Sequence, residues 1–219
     1  MEFSFKDSKF FKQCIDAIGG LLDEGSFEIS KEGLHLRSLD PSQIAMVDFK
    51  LPKGVHFSHF DVEDPRTLSV NLQDLSKIIS RGKTGEKLTI SFDEKEGNRL
   101  SLEFAGDAKR AFKLPLLDLR EAIMPKEPKV ALESTVKLRA GHFKDMLKDV
   151  VLVSSHLQLI ADDHSFIVEA HGDSGDLKIE NSSKTTKDLE VHSPTLTKSM
   201  YPAEYLDKMS RGAVDSEPI

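Results

Sequence analysis

The sequence predicts an α+β protein made of two duplicated domains, each built from antiparallel strands with two helices on one face. Three observations lead there. Apolar residues alternate with period two in many short segments, four stretches break that alternation with helical spacing, and the helical stretches recur in order at one spacing.

The opening Met1-Glu2-Phe3-Ser4-Phe5 alternates like a strand. Between residues 9 and 22, Phe11, Cys14, Ile15, Ile18 and Leu22 fall on one face of a first helix, and Asp7 or Ser8 suits its N-cap. Strand-like alternation follows over 27–29, 34–36 and 44–51. A second helix is expected over 72–80, with strands at 87–92, 99–104 and 110–116 after it. The later half repeats the order: a strand at 135–138, a third helix over 142–153 with Phe143, Met146, Leu147 and Val150 on one face, and strands at 157–160, 166–170 and 177–179. A fourth helix covers 203–211. Glu32-Gly33, Gly97-Asn98, Gly106-Asp107 and Asp162-Asp163 supply hairpin turns.

The duplication is visible residue by residue. Phe11-Lys12 matches Phe143-Lys144. Leu75-Ser76-Lys77-Ile78 followed by Ser80-Arg81-Gly82 matches Leu206-Asp207-Lys208-Met209 followed by Ser210-Arg211-Gly212. Three matches in one order, each shifted by about 131 residues, mean repeated domains. Residues 1–117 form the first and 133–219 the second. Between them, 118–132 holds Pro125 and Pro128 among Arg120, Glu121, Lys126, Glu127 and Lys129, the composition of an extended connector.

Composition describes a globular, cytosolic protein: 38% hydrophobic, 31% charged, and no apolar run near the ~18 residues of a membrane span. Cys14 is the single cysteine, which excludes an intramolecular disulfide and a Cys-based zinc site; on an apolar face it reads as a small hydrophobe. Thirty Lys and Arg against 37 Asp and Glu leave a net charge of −7, so nucleic acid could meet only a locally basic surface. Such a surface is available on the helices: opposite the apolar stripes stand Lys9 and Lys12, Lys77 and Arg81, Lys144 and Lys148, and Lys208 and Arg211. Two readings stand at this point, a basic lining for a phosphate backbone or ordinary solvated lysines, and Asp16, Asp145 and Asp149 on the same helices count against the first. No recognition helix, stacking aromatics or Trp is present, so DNA would be held through phosphates, without sequence readout and with strong salt dependence.

Leu36-Arg37-Ser38-Leu39-Asp40-Pro41-Ser42-Gln43-Ile44-Ala45-Met46-Val47 resembles the segment after the first hairpin in archaeal and eukaryotic sliding clamps. The likeness extends through Val70-Asn71-Leu72, Arg81-Gly82-Lys83, Phe112-Lys113-Leu114-Pro115-Leu116-Leu117-Asp118, Val151-Leu152-Val153-Ser154, Phe166, Glu169-Ala170 and residues 199–209. Over the whole chain the sequence resembles the proliferating cell nuclear antigen family, archaeal type. The resemblance implies a trimeric ring of two-domain subunits, sheets outside and helices lining a hole for duplex DNA. It implies a processivity clamp, not an enzyme, with no cofactor and no metal, that tethers DNA polymerase, is placed by a clamp loader and binds other clamp-binding-peptide proteins.

Carried over by position, the subunit joint pairs a strand at 109–117 with one at 175–181 of the neighbour. It is flanked by Arg81, Lys83, Arg110 and Lys113 on one side and Asp145, Asp149, Leu177 and Ile179 on the other. A third acid common in the family falls at Gly141 here. The partner-peptide pocket would use Leu39, Met46, Val130 and Leu132. The duplication also leads one to expect roughly 30 further residues of strand after the fourth helix, so the second sheet should be short and the pocket should lack one wall.

His56, His59 and Asp61, then Asp162-Asp163-His164 and His171-Gly172-Asp173, raise metal chemistry, but all sit beside turn residues, and on extended chain His56 and His59 point to opposite faces. No nucleophile elbow, P-loop or Rossmann glycine pattern occurs. Beside the processivity clamp, two other readings stay open: a subunit of a heterotrimeric or checkpoint-type clamp, and a duplicated β-rich ligand-binding protein without a DNA role.

Overall fold

The computed structural model describes residues 1–118 and 124–219, in two compact units, Met1–Lys126 and Glu127–Ile219. The connector charges at Arg120 and Glu121 lie outside the described residues. From Met124 to Ser134 the chain has no regular structure, as Pro125 and Pro128 require.

The first unit runs β1 (Glu2–Phe5), α1 (Ser8–Gly19), β2 (Glu24–Ser30), β3 (Gly33–Leu39), β4 (Met46–Pro52), β5 (Phe57–Asp61), β6 (Arg66–Asn71), α2 (Leu72–Ile79), β7 (Lys87–Ser91), β8 (Arg99–Ala105) and β9 (Lys109–Pro115). Its strands form one sheet in the order β4-β3-β2-β6 and another in the order β5-β1-β7-β8-β9, antiparallel throughout. Between sheets and helices lies a core of Phe3, Phe5, Phe11, Ile15, Leu36, Leu72, Leu88 and Leu102. Phe5 stacks on Phe11 at 4.4 Å between ring centroids and lies tilted against Phe57 at 4.8 Å. Burying rings of this size supplies the largest single contributions to such a core.

Asp7 caps α1, its carboxylate accepting from the Lys9 amide at 2.9 Å, and Asn71 caps α2 by accepting from the Asp74 amide at 2.9 Å. The turn between β3 and β4 is organised by Asp40, buried and accepting from the amides of Ser42 at 3.0 Å and of Ile44 and Ala45 at 2.7 Å each. Those bonds take Ile44 and Ala45 out of the strand, which starts at Met46 rather than at 44 as the alternation predicted.

The second unit runs β10 (Thr135–Lys137), α3 (Ala140–Val151), β11 (His156–Ala161), β12 (Ser165–Gly172), β13 (Gly175–Ser182), β14 (Glu190–His192), β15 (Thr197–Pro202) and α4 (Ala203–Ser210). Its four-stranded sheet, β13-β12-β11-β15, is the counterpart of β4-β3-β2-β6, and a two-stranded sheet, β10-β14, stands where the first unit has five strands. Met146, Leu147, Val150, Leu157, Phe166 and Val168 form the core. Neither α3 nor α4 has a side-chain cap. Instead the amides of Ala140 and Gly141 donate to the carbonyls of Glu217 and Asp215 at 2.9 and 3.0 Å. The tail crosses α3 so closely that a Cβ on residue 141 would lie 3.1 Å from Asp215, which accounts for glycine there.

Four strands were not expected: β5, β6, β14 and β15. β5 and β15 lack a period-two pattern, β14 is three residues long, and β6 alternates at Leu68-Ser69-Val70 although all three residues are buried.

Candidate nucleic-acid interface and assembly edges

Each helix packs part of its apolar face on its core, with Val151 at the end of α3 and Met209 on α4 left exposed, and carries its basic residues away from the buried positions. Within each unit the two helices lie side by side. α1 and α2 are joined by the Ser76 hydroxyl donating to Asp16 at 2.6 Å and by the Gln73 amide donating to the Gly19 carbonyl at 3.0 Å.

The structure gives most of the eight expected cations an acidic neighbour. Lys12 pairs with Asp16, Lys77 with Asp74 at 2.9 Å, Lys148 with Asp145 at 2.8 Å, Lys208 with Glu204 at 2.6 Å and Arg211 with Asp207 at 2.7 Å. The Lys148 hydrogen bond holds Asp145 below the usual carboxylate range and lifts Lys148 in turn, with Asp215 and Asp149 adding to the lift. Lys144 bonds Asp215 at 2.8 Å and the Ala213 carbonyl at 2.6 Å. Lys9 and Arg81 are exposed and form no ion pair among the described residues.

The two strands assigned to the joint are both sheet edges: β9 ends the five-stranded sheet and β13 ends a four-stranded one. Each leaves one row of backbone donors and acceptors without a partner strand among the described residues. Leu177 and Ile179 on β13 pack, half-buried, against the second core, and Phe112 on β9 does the same against the first. Asn181 anchors the end of β13. Its buried side chain accepts from His142 Nε2 through Oδ1 at 2.7 Å and donates to the Phe166 carbonyl through Nδ2 at 3.2 Å.

Two side chains differ from their expected pairing. Arg110 already has an acid in its own chain, the buried Glu86, and lies over the Phe104 ring at 5.2 Å. Glu86 also accepts from the Lys83 amide at 2.7 Å, so it ties the α2–β7 loop to β9. Asp145 turns to Lys148 on its own helix. Glu86 and Asp215 were not anticipated, since neither stands near its cation in sequence.

Leu39 and Met46 face each other across β3 and β4, with Leu39 exposed and Met46 half-buried. The same outward strip continues into Arg37 opposite Asp48 and His35 opposite Lys50. Asp48 accepts from Arg37 at 2.8 Å and bonds His35 Nε2 at 2.8 Å, and the Arg37 guanidinium, with smaller help from Lys50 and His35, holds its carboxyl well below the usual range. In the second unit Val130 and Leu132, both exposed, line a cavity of about 570 Å³ together with Val136, Leu138, Phe143, Leu159 and Tyr201.

The histidines raised as metal ligands have other neighbours. His56 stacks on Phe10 at 3.8 Å, His59 lies 3.8 Å from Glu2, and His171 bonds Asp176 at 2.6 Å. Asp162 is held low by bonds from the His164 and Ser165 amides and the Ser165 hydroxyl, as a turn residue is. Cys14 is half-buried, and burial pushes its thiol up to about 11, away from nucleophilic use.

A family model described as proliferating cell nuclear antigen, N-terminal domain, matches residues 1–122. The DNA polymerase sliding clamp of Pyrococcus furiosus is 33% identical over 218 residues, 100% of this chain and 86% of that protein. The DNA polymerase sliding clamp of Thermofilum pendens is 34% identical over 209 residues, 95% and 83% respectively. The crystal structure of PCNA from Thermococcus kodakaraensis superposes with a TM-score of 0.88 at 28% identity, covering 99% of this chain and 87% of that one. That of the Entamoeba histolytica protein gives 0.89 at 18% identity, a likeness of fold alone. With a family model over more than half its length and one-third identity across all of it to named clamps, this chain belongs to the proliferating cell nuclear antigen family.

Proposed function

We propose that this chain is one subunit of a ring-shaped DNA polymerase sliding clamp that encircles duplex DNA and tethers replication and repair enzymes without catalysing a reaction. Family membership carries this reading, and the pair of unpartnered edges supports it. Pairing β9 of one subunit with β13 of the next, head to tail, repeats until a ring closes and leaves neither edge free. Charge favours the match: β9 carries Lys109, Arg110 and Lys113, whereas β13 carries Asp176 and Glu180 around Lys178. Arg81, Lys83, Asp145 and Asp149 would flank the joint. Exposed pairs of this kind contribute about 0–1 kcal/mol each, so strand pairing and the apolar Phe112, Leu177 and Ile179 would dominate it.

The four helices would face the DNA, meeting phosphates and no base edges. Leu39 and Met46, with Val130 and Leu132 from the 118–132 connector, would receive the anchoring side chains of partner peptides, from DNA polymerase, the clamp loader and others. Residues 1–117 and 133–219 would be the two clamp domains. The setting would be the cytoplasm, or the nucleus in a eukaryote; among the described residues no helix is long and apolar enough to cross a membrane.

Light scattering over a concentration series at low and high salt tests ring closure. A species at three times 24.4 kDa is expected. A monomer at every concentration would sink self-closure and shift the reading to a ring of unlike subunits.

A further inference from the structure

The eight helix cations do not stand in equal surroundings. In the second unit every one has an acid: Lys144 with Asp215, Lys148 with Asp145, Lys208 with Glu204 and Arg211 with Asp207. In the first unit Lys12 and Lys77 are paired with Asp16 and Asp74, while Lys9 and Arg81 form no ion pair among the described residues.

The pairs also differ in quality. In Glu204–Lys208 and Asp207–Arg211 the acid stands four residues before the base, the orientation that agrees with the helix dipole. Lys12–Asp16 runs the other way, and Asp16 is shared with the Ser76 hydroxyl. Lys144 is the least available cation, with its side chain 21% exposed and an additional bond to the Ala213 carbonyl.

We propose that the two halves of the duplicated chain meet duplex DNA unequally: the first unit grips phosphate through Lys9, Arg81 being taken up at the subunit joint, and the acids of the second unit, Glu204 and Asp207 above all, neutralise its helix face. This rests on the reading that the helices face DNA. A lysine that already bonds a carboxylate must leave it to reach a phosphate, and the freed carboxylate then repels that phosphate. Affinity through counterion release scales with the number of cations that do reach phosphates. A half-neutralised lining therefore keeps the hold weak, which suits a protein that must slide.

Binding of the full chain to a fluorescently labelled duplex, followed by anisotropy from low to moderate salt, tests this. Lys9→Ala should weaken binding by about fivefold and reduce the salt slope by about 0.9, the value of one phosphate contact. Removing a pair as a unit, Lys208→Ala/Glu204→Gln, should stay within about twofold, because the two charges had already cancelled. The double variant Glu204→Gln/Asp207→Asn should tighten binding by about fivefold or more and steepen the slope by about 1–2. Equal losses for Lys9→Ala and for the Lys208→Ala/Glu204→Gln pair, or an unchanged Glu204→Gln/Asp207→Asn variant, would overturn the inference. Lys12→Ala/Lys77→Ala/Lys148→Ala separates the two levels of failure. If the triple variant weakens binding while the acid variant does nothing, only the inequality falls. If the triple variant and Lys9→Ala both bind as well as the parent, the helices do not face DNA, and both readings fall together.

Discussion

The two units begin from the same plan and bury it differently. In the first, β5-β1-β7-β8-β9 spreads over the core opposite β4-β3-β2-β6, and Phe3, Phe5 and Phe104 are shut off from solvent. In the second, among the described residues, β10-β14 stands in that place, and Val136, Leu138, Phe143 and Leu159 line an open cavity of about 570 Å³. Among the described residues the ring-on-ring contacts fall in the first unit, and Phe166 is the one buried phenylalanine of the second core. The lesson is that a helix pair with a four-stranded sheet specifies the topology, whereas the second sheet decides how much apolar surface is removed from water.

The largest expected effect lies in the first core. Phe5→Ala should cost about 3–5 kcal/mol through lost burial and the cavity left behind. Calorimetry should show one transition falling while a second stays in place, and Leu147→Ala in α3 should do the reverse. If both transitions move together for either variant, the units melt as one and their independence is wrong.

A smaller effect contrasts two outward strips. In the first unit Arg37 opposes Asp48 at 2.8 Å; in the second, Glu169 opposes Lys178 at 3.9 Å with the charges reversed. Asp48 is depressed when folded, so its contribution is present above the unfolded carboxylate pKa near 3.9 and is lost as pH falls below it toward the folded value. Because solvent screens this exposed carboxylate, Asp48→Asn should cost about 1 kcal/mol at pH 7, with the gap to the parent narrowing in urea melts below about pH 4. Lys178→Ala, at an exposed and longer pair, should change stability by less than about 0.5 kcal/mol. An equal cost would mean that strand position, not pairing distance, sets the value.

The mildest prediction concerns Cys14. With its thiol pushed up to about 11 by burial, modification by a disulfide reagent at pH 8 should be slow in the native protein and faster in urea. Equal rates would show that α1 opens freely and that the first core is less closed than its packing implies.

Much of the architecture was legible beforehand. All four helices lie within a few residues of where apolar spacing placed them, and Asp7 is the α1 cap. Of the strands that escaped, β5 and β15 lack period-two patterning and β14 offers a single apolar residue, Val191, whereas β6 does alternate at Leu68-Ser69-Val70. At the candidate site, the basic residues could be named from the sequence, but their partners could not. Arg110 reaches Glu86 across 24 residues and Lys144 reaches Asp215 across 71, separations that leave no trace in spacing.

The sequence by itself determined the duplication, the helix faces and the outward placement of the cations, because each follows from periodicities only a few residues long. Only the tertiary structure decided which strands are edges, which cations keep an acid beside them and where apolar surface stays open. Those depend on strand order and register, and a strand's neighbours are set by the whole sheet.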